Sequence, residues 1–255
     1  MRGLLATMRG AFAEVVANRR ALLAQAGTMF VNDAIWVVFW VLFFHEVGTL
    51  GGWDSDRILL LQAVLTASGG LVLGLLGNAR RIGMMAADGG LDAVLALPVS
   101  PLPFLLVRKV WAVNLGDLVF GIGLFIAVGH PTPVRALTFV AVVLASAVLL
   151  TSFLVVTGSL AFFTGRSETG DLGLQSILLL AAYPVDVFGG GARLFLFTVV
   201  PAAFITAVPA RLIDHVDAGL IAGLALAATV FAAVAIATFH AGLRRYSSGS
   251  VWTRA

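Results

Sequence analysis

The run AGLIAGLALAATVFAAVAIATF, residues 218–239, decides the fold class of this 255-residue chain. It has no charged side chain over its whole length. A helix that crosses a bilayer needs about 20 consecutive, largely apolar residues. The run therefore predicts a transmembrane helix, and the rest of the chain has to be compatible with a membrane protein.

The composition of the whole chain supports the same conclusion. Hydrophobic residues make up 60% of the sequence and charged residues only 11%, with a mean hydropathy of +1.03, whereas soluble domains carry about 25% charged residues. So few charges do not cover a globule of this size in water, which argues against a soluble enzyme and a disordered protein. The net charge is only +3 and the basic residues form no long run, so we expect no nucleic-acid partner.

Motifs for catalytic chemistry are missing from the sequence. There is no cysteine, and the four histidines show no spacing typical of metal ligands. The single lysine, Lys109, follows Arg108 instead of the glycine that a phosphate-binding Walker A loop requires. We therefore expect a non-enzymatic chain that binds no metal or cofactor of its own and does not hydrolyse nucleotide.

The chain divides into one amphipathic segment and six apolar runs. In the first 20 residues the large apolar side chains fall within one arc of about 120° at helical spacing, with arginines at its edges. Residues 1–25 are therefore predicted to form an interfacial helix. Residues 1–255 are predicted to form a single all-α transmembrane domain, with spans at about 26–44, 58–79, 110–128, 134–163, 172–187 and 218–239.

Residues 172–213, before the last span, do not have the pattern of two uninterrupted transmembrane helices. They include three adjacent glycines at 189–191 and three prolines, and proline removes a backbone donor that hydrocarbon does not replace. We therefore predict one crossing to about residue 187 and then a re-entrant helix pair over 188–213 on the outer side. Its turns are assigned to Tyr183, Pro184, Pro201 and Pro209, with direct substrate contact as the alternative.

The distribution of charge predicts the orientation. If the N-terminus, residues 80–109, Arg166 and the C-terminal tail lie on one side, that side holds twelve of the 16 basic residues. The other side then holds four arginines and six acids. Because an excess of basic residues favours the cytoplasm, both termini and the 80–109 loop are predicted to be cytoplasmic.

The 80–109 loop contains the run Asp88-Gly89-Gly90-Leu91-Asp92-Ala93-Val94-Leu95-Ala96-Leu97-Pro98. This run resembles the acidic-Gly-x-Leu-Asp-x-x-Leu-x-x-Pro pattern of ABC-2-type transporter permeases, with Asp88 where glutamate is more usual. The order of spans, the segment 183–209 and the tail 242–249 resemble one branch of this family, the compact bacterial permeases. The resemblance covers the whole chain.

This resemblance implies the membrane-spanning half of an ATP-driven exporter in the bacterial inner membrane. The chain would work with separate ABC ATPase subunits, which hold ATP and magnesium, and with a second permease chain, identical or homologous. An amphipathic or hydrophobic substrate, such as a drug or a lipid, would cross by alternating access.

Within the loop, Leu91, Val94 and Leu95 share one face of a predicted short helix that ends before Pro98. We expect an exposed apolar ridge that docks on another protein; a helix lying flat on the membrane is the alternative. In the resembled family this helix couples to the ATPase, which assigns docking to Asp88, Gly89, Leu91, Asp92, Val94, Leu95 and Pro98.

Two acids, Asp33 and Asp117, lie deepest in the predicted spans. Ionisable groups inside a membrane are costly and often functional. Both are close enough to the cytoplasmic ends of their predicted spans to reach the interface or a basic partner. A structural role and a position lining the transport path are therefore both open.

Two other functions are weighed against an exporter. An intramembrane lipid-modifying enzyme needs clustered acids or histidines near one interface, and Asp88 with Asp92 is the only close acidic pair beside the membrane on the cytoplasmic side. A secondary transporter would show internal repeats and a coupling-ion site at mid-membrane, and neither is visible in the sequence. Measuring whether the activity needs ATP and a co-purifying ATPase distinguishes these functions.

Overall fold

The computed structural model describes residues 2–247, within which all regular structure is helical. Ser248, Gly249 and Arg254, which belong to the predicted cytoplasmic tail, lie outside the described residues. The helices are α1 (Arg2–Ala17), α2 (Arg19–Val47), α3 (Ser55–Leu75), α4 (Ile82–Ala87), α5 (Asp92–Leu95), α6 (Pro101–Val107), α7 (Ala112–Val128), α8 (Pro133–Ser159), α9 (Ala161–Thr164), α10 (Thr169–Ala181), α11 (Gly190–Thr198), α12 (Val208–Asp214) and α13 (Ala218–Leu243).

Four helical stretches in the described chain are each long and apolar enough to cross a membrane: α2, α3, α8 continued by α9, and α13. Two further stretches pass the same test only as bent pairs, α6 with α7 at 79° and α11 with the segment Ala203–Asp214 at 72°. Counting each bent pair as one span gives up to six spans. The predicted all-α membrane fold is therefore confirmed, together with a broken helix pair before the last span.

The N-terminal segment is shorter than predicted. Helix α1 ends at Ala17, and the side chain of Asn18 accepts a hydrogen bond from the backbone of Ala21, which caps the start of α2. Such a cap satisfies one of the donors that the first turn of a helix leaves free. The boundary expected near residue 25 is therefore wrong, because the first long apolar helix already begins at Arg19.

Helix α3 forms the centre of the bundle. In its most apolar stretch 78% of the residues are buried, against 17% in α2 and 11% in α13. Helix α7 packs closely along α3 because glycine permits the two backbones to approach: a Cβ at Gly70 would lie 2.8 Å from the carbonyl oxygen of Asn114. Helices α2 and α13 surround this core and present long apolar faces outward.

The connecting residues gather at two ends of the bundle, which we name by their charge. Basic side chains dominate one end, whereas the loops at the other carry acids. The basic end comprises residues 2–18, 76–111, 160–168 and 244–247. The acidic end comprises residues 48–54, 129–132, 182–189 and 214–217.

Helix α10 connects the two ends although it has only 13 residues. At the basic end, a guanidinium nitrogen of Arg80 lies 3.3 Å from the carboxylate of Asp171 in the first turn of α10. Beyond α10 the chain continues to Asp186, whose carboxylate accepts a hydrogen bond of 2.8 Å from Trp53 at the acidic end. The predicted crossing over 172–187 is thus a short α-helix continued by residues that are not α-helical.

The segment 186–214 leaves the acidic end and returns to it. Arg211, near the end of the segment, forms an ion pair with Asp186 at its start. Asp214 pairs with Arg57 at 3.2 Å, beside the same loops. Between these points the chain runs through α11, bends by 72° and returns through α12. The re-entrant pair that the sequence predicts before the last span is therefore observed.

Polar side chains bind the carbonyl groups that the end of α10 leaves free. The amide of Gln62 donates a hydrogen bond of 3.1 Å to the carbonyl of Ala182. The hydroxyl of Thr206, in the re-entrant segment, donates one of 2.7 Å to the carbonyl of Ala181. Such carbonyls have no further helical donor, and an unpaired one is costly away from water. These bonds join the re-entrant segment and α3 to α10.

Pro209 does not interrupt a helix, contrary to the prediction that each proline marks a break. The helical stretch 203–214 runs through it and begins with a π-helical turn. Because Pro209 has no N–H group, it does not donate to the carbonyl of Ile205, and the hydroxyl of Ser146 donates to that oxygen at 2.7 Å. The bend itself lies before this stretch, at residues that include Pro201.

Candidate functional site

A polar pocket lies in the bundle between α2, α3, α7 and α10. Its volume is about 320 Å³, which is at the lower end of the range for small-molecule sites. The described residues that line it include no Lys, Arg or His. Most of the wall is apolar, and its polar side chains are Asn32, Asp33, Gln62, Thr66, Asn114 and Asp117.

The two acids of the pocket are only partly satisfied. Asp33 is 8% exposed, and its Oδ1 accepts a long hydrogen bond of 3.5 Å from the amide of Asn32. Oδ2 of Asp117 accepts a bond of the same length from Asn114. The second oxygen of each carboxylate is buried and has no hydrogen-bond partner among the described residues. Burying part of a carboxylate in this way is costly, which points to a functional requirement.

Asp33 lies deeper than the sequence predicts. It is 14 residues from either end of α2, which is about 21 Å at the helical rise. Residues 19–25 extend the helix at the basic end, so Asp33 is farther from the end of its helix than the sequence predicts. Asp117 lies in the second turn of α7. The expected basic partner is not observed, since the ion pairs formed within residues 2–247 include neither acid.

The pocket opens on the side of the bundle that α2 and α10 form. Asn32 is exposed there, and Trp36 and Leu179 on the rim are 41% and 61% exposed. An amide and acids that faced hydrocarbon directly would be unfavourable. This side therefore suits contact with another protein or with a water-filled space better than contact with lipid.

Tyr183 packs within the bundle instead of lining the pocket. Its ring meets that of Trp40 edge-on, with 5.7 Å between the centroids. Pro184 follows with an extended backbone and starts the short turn after α10, and Pro201 is buried in the bend of the re-entrant segment. This placement agrees with a role in shaping the turn, the first of the two roles expected for these residues.

The loop at the basic end folds into the three short helices α4, α5 and α6. Gly89 follows α4 with a φ of +72°, a left-handed conformation that glycine adopts without strain. Leu91 and Val94 are only 1% and 2% exposed. The predicted exposed ridge is therefore wrong for these two residues. The reason is that α5 has a single turn and directs this face into the protein.

An exposed apolar stretch begins within the single turn of α5, and we name residues 93–99, of which only Val94 is buried, the apolar loop. Its large exposed side chains, Leu95, Leu97 and Val99, are 42%, 43% and 37% exposed. The helical pattern of the sequence does not single out Leu97 and Val99, because neither lies on the predicted helical face. The sequence feature that indicates them is the apolar residue at every second position, 95, 97 and 99, around Pro98. Ala93, Ala96 and Pro98 are exposed beside them.

The two acids of this loop have different surroundings. Asp88 is exposed. Asp92 accepts a hydrogen bond of 2.8 Å at Oδ1 from the hydroxyl of Tyr246, which follows α13. The ring of Tyr246 also packs edge-on against Phe162, with 6.1 Å between centroids. Asp92 therefore holds the loop against the end of the last helix.

Two aspartates pair the four arginines that the charge count assigns to the acidic side. The pairs are Asp214 with Arg57 (3.2 Å) and Arg135 (3.1 Å), and Asp186 with Arg193 (3.1 Å) and Arg211. These pairs join the loops of the acidic end to α3, α8, α11 and α12.

Asp186 is the better buried of the two, with a side chain 13% exposed. Burial by itself raises the pKa of Asp186, but hydrogen bonds from Trp53 and Arg211 and the charges of Arg211 and Arg193 outweigh it. The pKa of Asp186 is therefore below its ordinary value of 3.8. This carboxylate stays ionised and joins the 48–54 loop to both limbs of the re-entrant segment.

Comparison with known proteins agrees with this arrangement. A family model described as ABC-2 family transporter protein matches residues 30–250. The match includes the polar pocket, the apolar loop, the re-entrant segment and the last helix. No curated protein and no solved structure matches the chain. Within residues 2–247 no group of three or more His, Cys, Asp or Glu side chains is placed to hold a metal ion.

Proposed function

The chain belongs to the ABC-2 family of transporter proteins, and from this premise we propose that it is the permease of an ATP-driven exporter. The family match covers residues 30–250, and in our proposal six helices cross the membrane, α2, α3, α7, α8, α10 and α13, while the bent pair α11 and α12 is re-entrant. In such a transporter the permease forms the path through the membrane, and separate subunits hydrolyse ATP. The chain itself is then non-catalytic and binds no cofactor, and its partner ATPases hold ATP and magnesium.

We place the basic end in the cytoplasm of a bacterial cell and the acidic end outside. Only four arginines lie in the helix turns beside the acidic end, and all four are in ion pairs with its acids. At the basic end Arg81 and Lys109 lie over the ring of Trp111, at 5.3 Å and 4.3 Å from its centre. Unpaired basic residues favour the cytoplasmic side of the inner membrane. Both termini are then cytoplasmic.

The apolar loop is the main support for an ATPase partner. Leu95, Leu97 and Val99 expose apolar surface together at the basic end, and a contiguous apolar patch in water marks an interaction site. Because ATP is supplied in the cytoplasm, the ATPase that the family implies has to bind at this end. Asp88 lies at the rim of the contact, whereas Gly89, Leu91, Asp92 and Val94 shape the loop from within.

The short helices of the loop connect docking to the membrane. Helix α6 continues into α7 through a bend of 79°, and α7 packs along the central helix α3. Closure of the ATPases around ATP would push on the apolar loop and move α6. The bend transmits this movement to α7, which carries one wall of the polar pocket.

A second permease chain, identical or homologous, is proposed to face the open side of the pocket. Helix α2 is the obvious contact, because only 17% of its most apolar stretch is buried within this chain and its exposed face includes the polar Asn32. Two chains that met along α2 and α10 would enclose both pockets. Alternating access would then open this space first to the cytoplasm and afterwards to the outside.

The proposed substrate is an amphipathic or hydrophobic compound such as a drug or a lipid. The pocket combines a largely apolar wall with a few polar groups, which is the usual composition of a site for such molecules. In the proposed dimer its opening faces the space enclosed between the two chains, which a compound enters while that space is open to the cytoplasm. The apolar wall then favours membrane-soluble compounds over fully hydrated ones.

Transport into everted vesicles tests the function. Vesicles from native membranes, with the chain present or deleted, are given a fluorescent lipid and a fluorescent amphipathic dye together with ATP or ADP. We expect uptake that needs ATP, disappears with the deletion and persists when an ionophore removes the proton gradient. Uptake that depends on the proton gradient and not on ATP would indicate a secondary transporter. Chemical modification of the lipid with no uptake into the vesicles would indicate a lipid-modifying enzyme. Either result would overturn the proposal.

A further inference from the structure

The unpaired oxygens of Asp33 and Asp117 call for a partner that the described chain does not supply. Asp33 is more than nine-tenths buried, lines the pocket, and leaves Oδ2 without a hydrogen bond. Oδ1 of Asp117 is also buried and has no hydrogen-bond partner among the described residues. Neither residue takes part in docking or in the ion pairs of the acidic end. Their position in the pocket therefore points to a ligand.

The neutral polar groups of the pocket do not fill this role. The amides of Asn32 and Asn114 already donate to the acids, over long bonds of 3.5 Å. Thr66 donates its hydroxyl hydrogen to the carbonyl of Gln62 at 2.9 Å, and the amide of Gln62 donates to Ala182. No basic side chain is among the described lining residues. The pocket thus offers acceptors and negative charge and lacks a cation.

The walls of the pocket define the rest of the ligand. Trp36 and Phe120 contribute aromatic rings, and Met29, Leu65 and Leu73 contribute apolar surface. Aromatic rings attract cations through their faces, and apolar walls favour an organic ligand over a hydrated metal ion. The volume of about 320 Å³ admits a small organic molecule.

We propose that the polar pocket binds an organic cation with an apolar body, and that Asp33 and Asp117 bind its positive charge. This inference rests on the proposed function, because it makes the pocket part of the transport path and restricts the exporter's substrates to cationic amphiphiles. In the proposed dimer such cations enter the pocket from the space enclosed between the α2 and α10 faces of the two chains. A neutral or anionic compound of the same shape should bind more weakly, because it brings no positive charge to the carboxylates.

Binding of two ions of the same shape and opposite charge tests the proposal. The complex, purified with its ATPases in lipid nanodiscs, is dialysed against tetraphenylphosphonium or tetraphenylborate, with empty nanodiscs as the background. We expect saturable binding of the phosphonium ion only. Asp33→Asn and Asp117→Asn should each raise its dissociation constant roughly tenfold or more. Asp33→Glu, which keeps the charge, should retain most of the binding.

Asp56→Asn is the matched control, because Asp56 is an exposed acid at the start of α3 and should leave the dissociation constant unchanged. Equal binding of the two ions by the wild-type complex would overturn the inference even if a variant failed to fold. Unchanged phosphonium binding in an intact Asp33→Asn complex would also overturn it. The ATPase content of the same preparation reports on the proposed function separately, because a permease that purifies without an ATPase contradicts that function alone.

Discussion

Tyr246 donates its hydroxyl hydrogen to Oδ1 of Asp92 over 2.8 Å and so joins the end of the last helix to the loop proposed to dock on the ATPase. The two residues are 154 positions apart. The sequence offered Asp92 as a docking residue, but this bond turns its carboxylate toward the protein. Docking in the proposed transporter therefore depends on a loop whose position is set by α13 as well as by its own short helices.

Replacing Tyr246 by phenylalanine should loosen the apolar loop. The change removes one hydrogen bond to a charged group, which contributes about 1.5–3 kcal/mol, while the ring contact with Phe162 is kept. We expect faster hydrogen exchange in residues 88–99 of the purified permease. Tyr183→Phe, at the only other tyrosine, is the control and should not change exchange there. Unchanged exchange in Tyr246→Phe would show that the bond does not hold the loop.

Leu91 and Leu95 should differ sharply when each is shortened to alanine. Leu91 is 1% exposed and Leu95 is 42% exposed, although they lie one helical turn apart. Leu91→Ala leaves a cavity and should lower the free energy of unfolding by about 2–5 kcal/mol. Leu95→Ala should change it by less than about 0.5 kcal/mol. Thermal unfolding of both variants in detergent measures the difference, and equal stabilities would contradict the burial of Leu91.

Acid should weaken the contribution of Asp186 to stability. Its pKa is lowered in the folded protein, so its stabilising effect is complete above the ordinary value and is lost as the pH falls through the folded value. Asp186→Asn should therefore lower the melting temperature near neutral pH, by the loss of about 1–3 kcal/mol. The difference from the wild type should shrink as the pH falls from about 5 to below the ordinary value of 3.8. A constant difference over this range would show that its charge is not stabilising.

Cysteines introduced into this cysteine-free chain test the orientation and the re-entrant segment together. Thr49 and Val216 are exposed at the acidic end, on either side of that segment, and Ala87 is exposed at the basic end. An impermeant thiol reagent should label Thr49→Cys and Val216→Cys in intact cells, and Ala87→Cys only after lysis. Between these positions the account has four crossings, α3, α7, α8 and α10, and the re-entrant segment. Labelling of Thr49→Cys and Val216→Cys from opposite sides would therefore contradict this combination.

Much of the fold was predictable because membrane helices leave a strong signal in a single sequence. The run at residues 218–239 and the glycines and prolines of 188–213 identify a span and a broken pair without any tertiary information. Details that depend on contacts were not predictable. Pro209 continues its helix only because Ser146, 63 positions earlier, binds the carbonyl that the proline leaves free.

The candidate site was predictable in part for a similar reason. Asp33 and Asp117 stand out as acids in apolar runs, but only packing shows that both line one pocket between four helices. In the loop, the helical pattern assigned Leu91, Val94 and Leu95 to one exposed face, but only Leu95 is exposed. It did not show that a one-turn helix buries most of that face and leaves Leu97 and Val99 outside, because a pattern does not specify what a short helix packs against.

ATP hydrolysis by the affinity-purified complex tests the central claim most directly. Leu97→Asp places a carboxylate in the proposed apolar contact, where burying it costs several kcal/mol and weakens binding about a hundredfold or more. Ala87→Asp adds the same charge at an exposed position outside the apolar loop. We predict that the wild type and Ala87→Asp purify with an ATPase subunit and hydrolyse ATP. Folded Leu97→Asp should purify without the ATPase subunit and should not hydrolyse ATP. The claim would be contradicted if the wild-type permease purified from native membranes without an ATPase subunit, or if the Leu97→Asp preparation hydrolysed ATP at the wild-type rate.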